Sequence, residues 1–190
     1  MNTQIKTSLT DPIRVDFVDL EKLGLDGKLG LTFAPGKFRM NGWTASWDRD
    51  LDTDLLRLRD YYGCQVLVSL IEQFEFEALR ILSLRERAGE FGISSIWFPI
   101  VDGSIPENPE DFAQTISEIS KLMDDGKTVI VHCMGGLGRA GLTSACLLVS
   151  KGVDADEAIR AVRAARTGAI ETAGQEQFVR LFQRTTGKQS

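Results

Sequence analysis

The chain is short of several residue types, and each shortage excludes a class of protein. It carries one histidine and three cysteines in 190 residues. A single imidazole and scattered thiols at Cys64, Cys133 and Cys146 do not make the clustered ligand set of a zinc site, so no metal is expected. An odd cysteine count without disulfide spacing excludes a secreted disulfide scaffold and suits a reducing compartment. No apolar run approaches the roughly 20 residues of a membrane-spanning helix. The opening MNTQIKTSLTDP has no hydrophobic signal core. Basic residues are also in the minority, 22 Lys and Arg against 27 Asp and Glu, for a net charge of −5. That excludes nucleic acid and anionic membrane as main partners. Internal repeats and interior linkers are absent. What is present is ordinary for a globular chain, 43% hydrophobic and 26% charged. The length suits one domain with a proper core. The expectation is a cytoplasmic monomer, with residues 1–11 a flexible N-terminus and 12–186 the folded domain.

One stretch organises the rest, Thr128 to Leu148, TVIVHCMGGLGRAGLTSACLL. Val129-Ile130-Val131 reads as a buried strand. Ala140 to Leu148 is small and apolar without Pro, which suits a buried helix. Between them lies His132-Cys133-Met134-Gly135-Gly136-Leu137-Gly138-Arg139, too rich in glycine for regular structure. Strand, glycine-rich loop and helix together form an anion cradle: loop amides and the free N–H groups at the helix start converge on one spot. A thiol held against those amides and a guanidinium is favoured as thiolate, the nucleophilic form. Arg139 can grip two phosphate oxygens at once with its fork. The chemistry implied is attack by Cys133 on phosphorus held by Met134 to Gly138 and Arg139.

His-Cys-x5-Arg between a strand and a helix resembles the active-site loop of the cysteine-based protein tyrosine and dual-specificity phosphatases. The opening PIRVDFVDLEKLGLDGKLGLTFAPGK, and the Gly-Gly-Leu-Gly-Arg run, are similar to the kinase-associated phosphatase family, which acts on cyclin-dependent kinases. This second likeness spans roughly Ile13 to Phe182 and is loose between Phe38 and Gly92. It implies an α/β fold with a central, mostly parallel sheet flanked by helices. It also implies hydrolysis of phosphomonoesters through a phosphocysteine, with no cofactor, and a phosphorylated protein, a kinase among the candidates, as partner. The family has a loop Asp about thirty residues before its cysteine; Asp102 lies 31 before Cys133. A general acid is needed there because an alkoxide or phenoxide leaves badly unless protonated. Two Gln four apart usually follow the last loop. Gln175 matches the second, and Glu171 departs from the first. Ser or Thr usually follows the loop Arg, and here stands Ala140. His132 supports the loop.

In chain order, Ile13–Leu20 and Leu29–Ala34 read as strands, in a hairpin or as neighbouring edge strands. Residues 37–50 read as a polar loop, in which Trp43 and Trp47 either line the pocket mouth or, preferably, pack on one another. Helices are expected at 52–62, 74–89, 109–125, from Asp154, and at 174–184; strands at 66–70 and 93–100. In the 74–89 helix Leu79, Ile81 and Leu82 should face inward. Arg163 and Arg166 read as a solvated helix end rather than as aids to anion binding. Cys64 is the better candidate for a disulfide with Cys133, since Cys146 sits within a helix. Two alternative functions stand beside the main one. The first is a phosphate-binding or kinase-regulatory module with little turnover; the second is a phosphatase of lipids or other phosphomonoesters. The absence of Lys between Met134 and Gly138 leans against the second.

Overall fold

The computed structural model describes residues 5–40 and 45–186. In chain order the strands are β1 (Ile5–Lys6), β2 (Asp16–Phe17), β3 (Lys28–Phe33), β4 (Phe38–Arg39), β5 (Ser46–Asp48), β6 (Val66–Ser69), β7 (Ser94–Trp97) and β8 (Thr128–Cys133). The helices are α1 (Leu51–Asp60), α2 (Gln73–Ala78), α3 (Leu84–Glu90), α4 (Pro109–Asp124), α5 (Gly138–Ser150), α6 (Ala155–Ala165) and α7 (Ala173–Thr186). The main sheet has the order β2-β3-β8-β6-β7, and only β2 runs antiparallel to its neighbour. This is the α/β, mostly parallel sheet expected from the sequence.

The apolar run Val129-Ile130-Val131 earns β8 the central place, since a strand buried on both faces has no polar side to offer water. Helix α5 packs on β8 and β3 and is itself covered by α4, α6 and α7. Its residues from Gly138 to Val149 are all buried, which explains why it is built from small and apolar side chains. Side-chain caps set the starts of its neighbours. Asn108 accepts from Glu110 and Asp111 at the head of α4, and Asp154 accepts from Asp156 and Glu157 at the head of α6.

Four readings of the sequence change. The helix expected over 74–89 is two, because Arg80 takes φ +59° and turns the chain. Leu79 and Ile81 are buried in that turn, but Leu82 is 61% exposed. The strand expected over 13–20 pairs only at Asp16 and Phe17. The loop expected over 37–50 contributes β4 and β5, which with β1 form a small second sheet. Its Trp47 stacks on Phe33, ring centroids 5.2 Å apart. Trp43 lies outside the described residues. The segment expected to be free before residue 12 carries contacts from Ile5 onward: β1 pairs with β5, and Ser8 bonds the Asp50 carbonyl at 3.1 Å.

A buried ion pair fastens this corner. Arg49 and Asp54 meet twice, Nε to Oδ2 at 2.8 Å and Nη2 to Oδ1 at 2.8 Å. Asp54 also accepts from the Gly36 amide at 2.9 Å, and Arg49 donates to the Asp11 carbonyl at 2.7 Å. The pair thus joins the N-terminal segment, the turn after β3 and α1. Removing one partner would strand the other charge in a dry place. Asp54→Ala is expected to cost about 3–5 kcal/mol in urea unfolding at pH 7; a loss below about 1 kcal/mol would show that water or another group replaces the carboxylate.

Candidate active site

Strand β8 delivers Cys133 to the carboxyl edge of the sheet, and α5 begins five residues later at Gly138. The intervening loop is turned so that three of its carbonyls, those of Met134, Gly135 and Leu137, each meet a donor. The Met134 carbonyl accepts from the Ala34 amide and from Lys37 Nζ, both at 3.4 Å. The Gly135 carbonyl accepts from Arg166 Nη2 at 3.0 Å. The Leu137 carbonyl accepts from the amides of Gly141 at 2.8 Å and Ile170 at 3.3 Å. The Gly136 amide points inward instead and donates to Cys133 Sγ at 3.2 Å. Gly136 has φ +75°, and a Cβ there would lie 2.3 Å from the Thr32 carbonyl oxygen, so no other residue fits this turn.

Arg139 is 1% exposed and three of its five N–H bonds are spent on hydrogen bonds. Nη1 donates to Glu75 Oε2 at 2.5 Å and to the Ile100 carbonyl at 3.0 Å. Nη2 donates to Glu75 Oε1 at 2.9 Å and faces Asp102 Oδ1 at 2.9 Å. Nε is buried without a partner among the described residues. Burial works against the Arg139 charge, but Glu75, Cys133 and Asp102 outweigh it and hold its pKa above the ordinary range. Glu75, 1% exposed, is oriented in turn by the Glu72 amide at 2.8 Å, part of the capping box that starts α2.

His132 is fully buried behind the loop. Its Nδ1 lies 3.3 Å from the Cys133 carbonyl and its Nε2 lies 2.7 Å from Ser69 Oγ. A carbonyl only accepts, so Nδ1 carries the proton and Nε2 accepts from the serine hydroxyl. Burial pushes the imidazole pKa down to about 4, the nearby Arg139 lowers it further, and the Cys133 carbonyl opposes. The ring is therefore neutral.

Comparison with known proteins agrees with this geometry. The profile of the Swiss Army Knife protein, DSP-PTPase phosphatase domain, matches residues 90–179, a span that holds Asp102, the cysteine loop and Gln175. Cyclin-dependent kinase inhibitor 3 of Rattus norvegicus is 28% identical over 175 residues, covering 90% of this chain and 79% of that one. Protein tyrosine phosphatase type IVA 3 of Bos taurus is 37% identical over 84 residues, 43% of this chain and 47% of that one. The crystal structure of kinase associated phosphatase with its catalytic site cysteine replaced by serine superposes with a TM-score of 0.82 at 25% identity, over 92% of this chain and 96% of that one. The chain is similar to the cysteine-based dual-specificity and tyrosine phosphatases. Its fold and its enzyme class are those of that family.

Within this phosphatase the loop residues, Arg139, Asp102 and His132 come together as the sequence suggests. Gln175 joins them differently. It is fully buried, its Oε1 accepts from the Glu171 amide at 3.0 Å, and its Nε2 donates to the Ser104 carbonyl at 3.1 Å. It thereby ties the start of α7 to the Asp102 loop, and its amide lies beside the loop's end, where a Cβ on Gly138 would meet Nε2 at 3.0 Å. The Glu171 carboxylate does not turn away from the cradle: a Cβ on Gly138 would lie 2.5 Å from its Oε2. Arg166 is no solvated helix end, since it bridges the Gly135 carbonyl and Asp16. The pairing of Cys64 with Cys133 is excluded by register. Ser69 pairs with His132, so Leu70 stands level with Cys133, and Cys64 lies six residues below it, about 20 Å along the strand. A disulfide needs Cα atoms within about 7 Å. Glu75, Ser69 and Lys37 were given no role by the sequence. Glu75 reads as an ordinary helix charge, and nothing short of the fold shows that it turns inward.

The sign of the His132 effect on stability is fixed by its direction. The unfolded imidazole takes up a proton near pH 6.5 and the folded one near 4. Stability from this group is complete above pH 6.5 and is lost as pH falls towards 4, by roughly 3 kcal/mol in all. Urea unfolding between pH 7 and 4.5 should therefore fall off more steeply for the native chain than for His132→Asn; equal slopes would assign the acid sensitivity to other groups.

Proposed function

We propose that this phosphatase dephosphorylates protein substrates through a phosphocysteine at Cys133. The observation that carries the reading is the convergence of Cys133 Sγ, the Gly136 amide and the unpartnered Nε of Arg139 on one dry spot. In the first step the thiolate attacks phosphorus, the S–P bond forms, the P–O bond to the leaving group breaks, and Asp102 gives its proton to the departing oxygen. In the second step water attacks phosphorus and passes a proton to Asp102 while the S–P bond breaks. The products are inorganic phosphate and the thiolate.

Arg139 makes the order of events specific. Glu75 and Ile100 occupy both bonds of Nη1 and one of Nη2, so a phosphate is left with Nε and the Nη2 bond that now faces Asp102. Bound phosphate displaces Asp102 from the guanidinium, and the released carboxyl group is then free to carry the proton that the first step needs. His132 fixes the loop at the Cys133 carbonyl, and Gln175 fixes the Asp102 loop at Ser104. Met134, Gly135, Gly136, Leu137 and Gly138 hold the phosphate with their backbone.

The relatives support a phosphoprotein substrate, and the name kinase associated phosphatase supports a phosphorylated kinase among the candidates. No helix of the described residues is long and apolar enough to cross a membrane. All the groups named come from one chain, so the reading needs no second copy of it. The low-turnover reading draws support from two departures. Ala140 offers no hydroxyl to the sulfur, and the Glu171 carboxylate stands beside Gly138 where it repels an incoming phosphate.

Cys133→Ser is expected to fold normally, to bind vanadate, and to lose nearly all turnover of p-nitrophenyl phosphate; substantial activity in that variant would end the mechanism. Asp102→Ala should slow the first step yet bind phosphate and phosphopeptides more tightly, because Nη2 is no longer contested. A phosphopeptide panel captured on that variant reads out the substrate. Ala140→Ser tests the second step, in which sulfur leaves as an anion. A charge-assisted hydrogen bond of roughly 1.5–3 kcal/mol corresponds to about one to two powers of ten in rate. The serine should raise steady-state kcat and shrink the burst of alcohol release in stopped flow; an unchanged kcat without a native burst would show that the loop amides suffice.

A further inference from the structure

Lys37 lies outside the loop, on the turn between β3 and β4, yet it is only 6% exposed and touches the loop from behind. The turn is held on three sides. The Ala34 amide bonds the Met134 carbonyl, the Gly36 amide bonds Asp54 at 2.9 Å, and the Phe38 amide bonds the Leu79 carbonyl at 2.9 Å. The ammonium sits 4.4 Å from the Phe33 ring centroid and 4.1 Å from that of Trp47, and 3.4 Å from the Met134 carbonyl. Phe33 is the register partner of Cys133 across the β3–β8 ladder.

The charges around this amine are of one sign. Arg39 approaches from β4, Arg49 from the end of β5, and Arg166 from the end of α6. Asp54 is committed to Arg49 and Asp16 to Arg166, and Lys37 has no carboxylate partner among the described residues. An ammonium buried among three guanidinium groups needs an anion to justify its charge. The group placed to answer it is the sulfur of Cys133, which adjoins Met134 in the loop and pairs with Phe33 across the ladder.

We propose that Lys37 is a positioning residue of the catalytic loop, pinning Met134 and supplying a countercharge to the nucleophilic sulfur. It takes up part of the work for which Ala140 has no hydroxyl. The inference rests on Cys133 as nucleophile. Burial and the arginines bring the Lys37 pKa down to about 7, against the pull of Cys133. Its positive charge is therefore present below pH 7 and lost as pH rises through that value. A bound anion favours the charged form, so affinity for sulfate, which does not titrate in this range, should fall between pH 6.5 and 8.5.

The test compares the full chain with Lys37→Arg and Lys37→Met, after thermal melts establish that both are folded. The readouts are the rate of iodoacetamide alkylation of Cys133, sulfate inhibition, and kcat/KM across pH 6–9. Lys37→Met should alkylate about tenfold more slowly at pH 6.5, the weight of one nearby charge. Its sulfate affinity should be weak and flat with pH. Lys37→Arg, permanently charged, should keep native alkylation and hold its sulfate affinity to pH 8.5. If Lys37→Arg fails as badly as Lys37→Met, the role is packing and the proposal falls. If neither variant moves alkylation or the pH profile, it falls equally. Alkylation and sulfate binding are read without turnover, so failure here is distinct from failure of the phosphocysteine mechanism, which Cys133→Ser decides.

Discussion

The buried pair of Arg139 and Glu75 is the constraint on which the site depends. A guanidinium that is 1% exposed needs a carboxylate as dry as itself, and Glu75 supplies one. To do so α2 must point its third residue inward, and the chain must turn back at Arg80 before α3 begins. The pair also sets the aim of the fork. With its Nη edge bound to Glu75, Arg139 presents Nε and half of Nη2 to the cradle. The same residue holds the Ile100 carbonyl, and so carries the strand end that delivers Asp102. One side chain thereby joins the anion cradle, the acid loop and a helix more than sixty residues away in sequence.

The loop is polar in opposite senses on its two faces. The Gly136 amide turns inward to sulfur, and carbonyls turn outward to Lys37, Arg166 and neighbouring amides. Such orientation is what makes a backbone cradle effective, because its dipoles need no rearrangement when charge arrives. It comes at the cost of seating behind the loop one cation, Lys37, that has no carboxylate partner among the described residues. The chain as a whole is acidic, with a net charge of −5, yet the ground behind the loop is strongly basic. Net charge describes partners at a distance and says little about the field inside a cleft.

Two departures from the family sit on either side of the reacting atoms. Ala140 withholds a hydrogen bond from sulfur, and Glu171 brings a carboxylate to the start of α5. The helix end that welcomes phosphate welcomes that carboxylate for the same reason. The fastening of the Asp102 loop by Gln175 and by Thr172 to the Gly103 carbonyl means that Glu171 and the acid share one mount. Changes at residue 171 therefore reach the proton donor as well as the phosphate.

The cysteine loop is legible from residues alone because its parts are adjacent in the chain: thiol, glycines and guanidinium lie within seven positions, between a β-branched run and a small apolar helix. Periodicity also places most helices and the inner strands, since each buries one face. Asp102 needs the family resemblance, as an Asp-Gly at a strand end is otherwise only a turn. Glu75, Lys37 and Ser69 have no local signature, for a buried charge looks like a surface charge until its partner is known. The break at Arg80, the Cys64 register and the seat of Gln175 against the Ser104 carbonyl are likewise decided by packing at long range. The sequence by itself determined which residues build the cradle, because its backbone chemistry is confined to a few adjacent positions. Only the tertiary structure decided which distant charges orient and balance them, because desolvation makes a charge depend on everything that surrounds it.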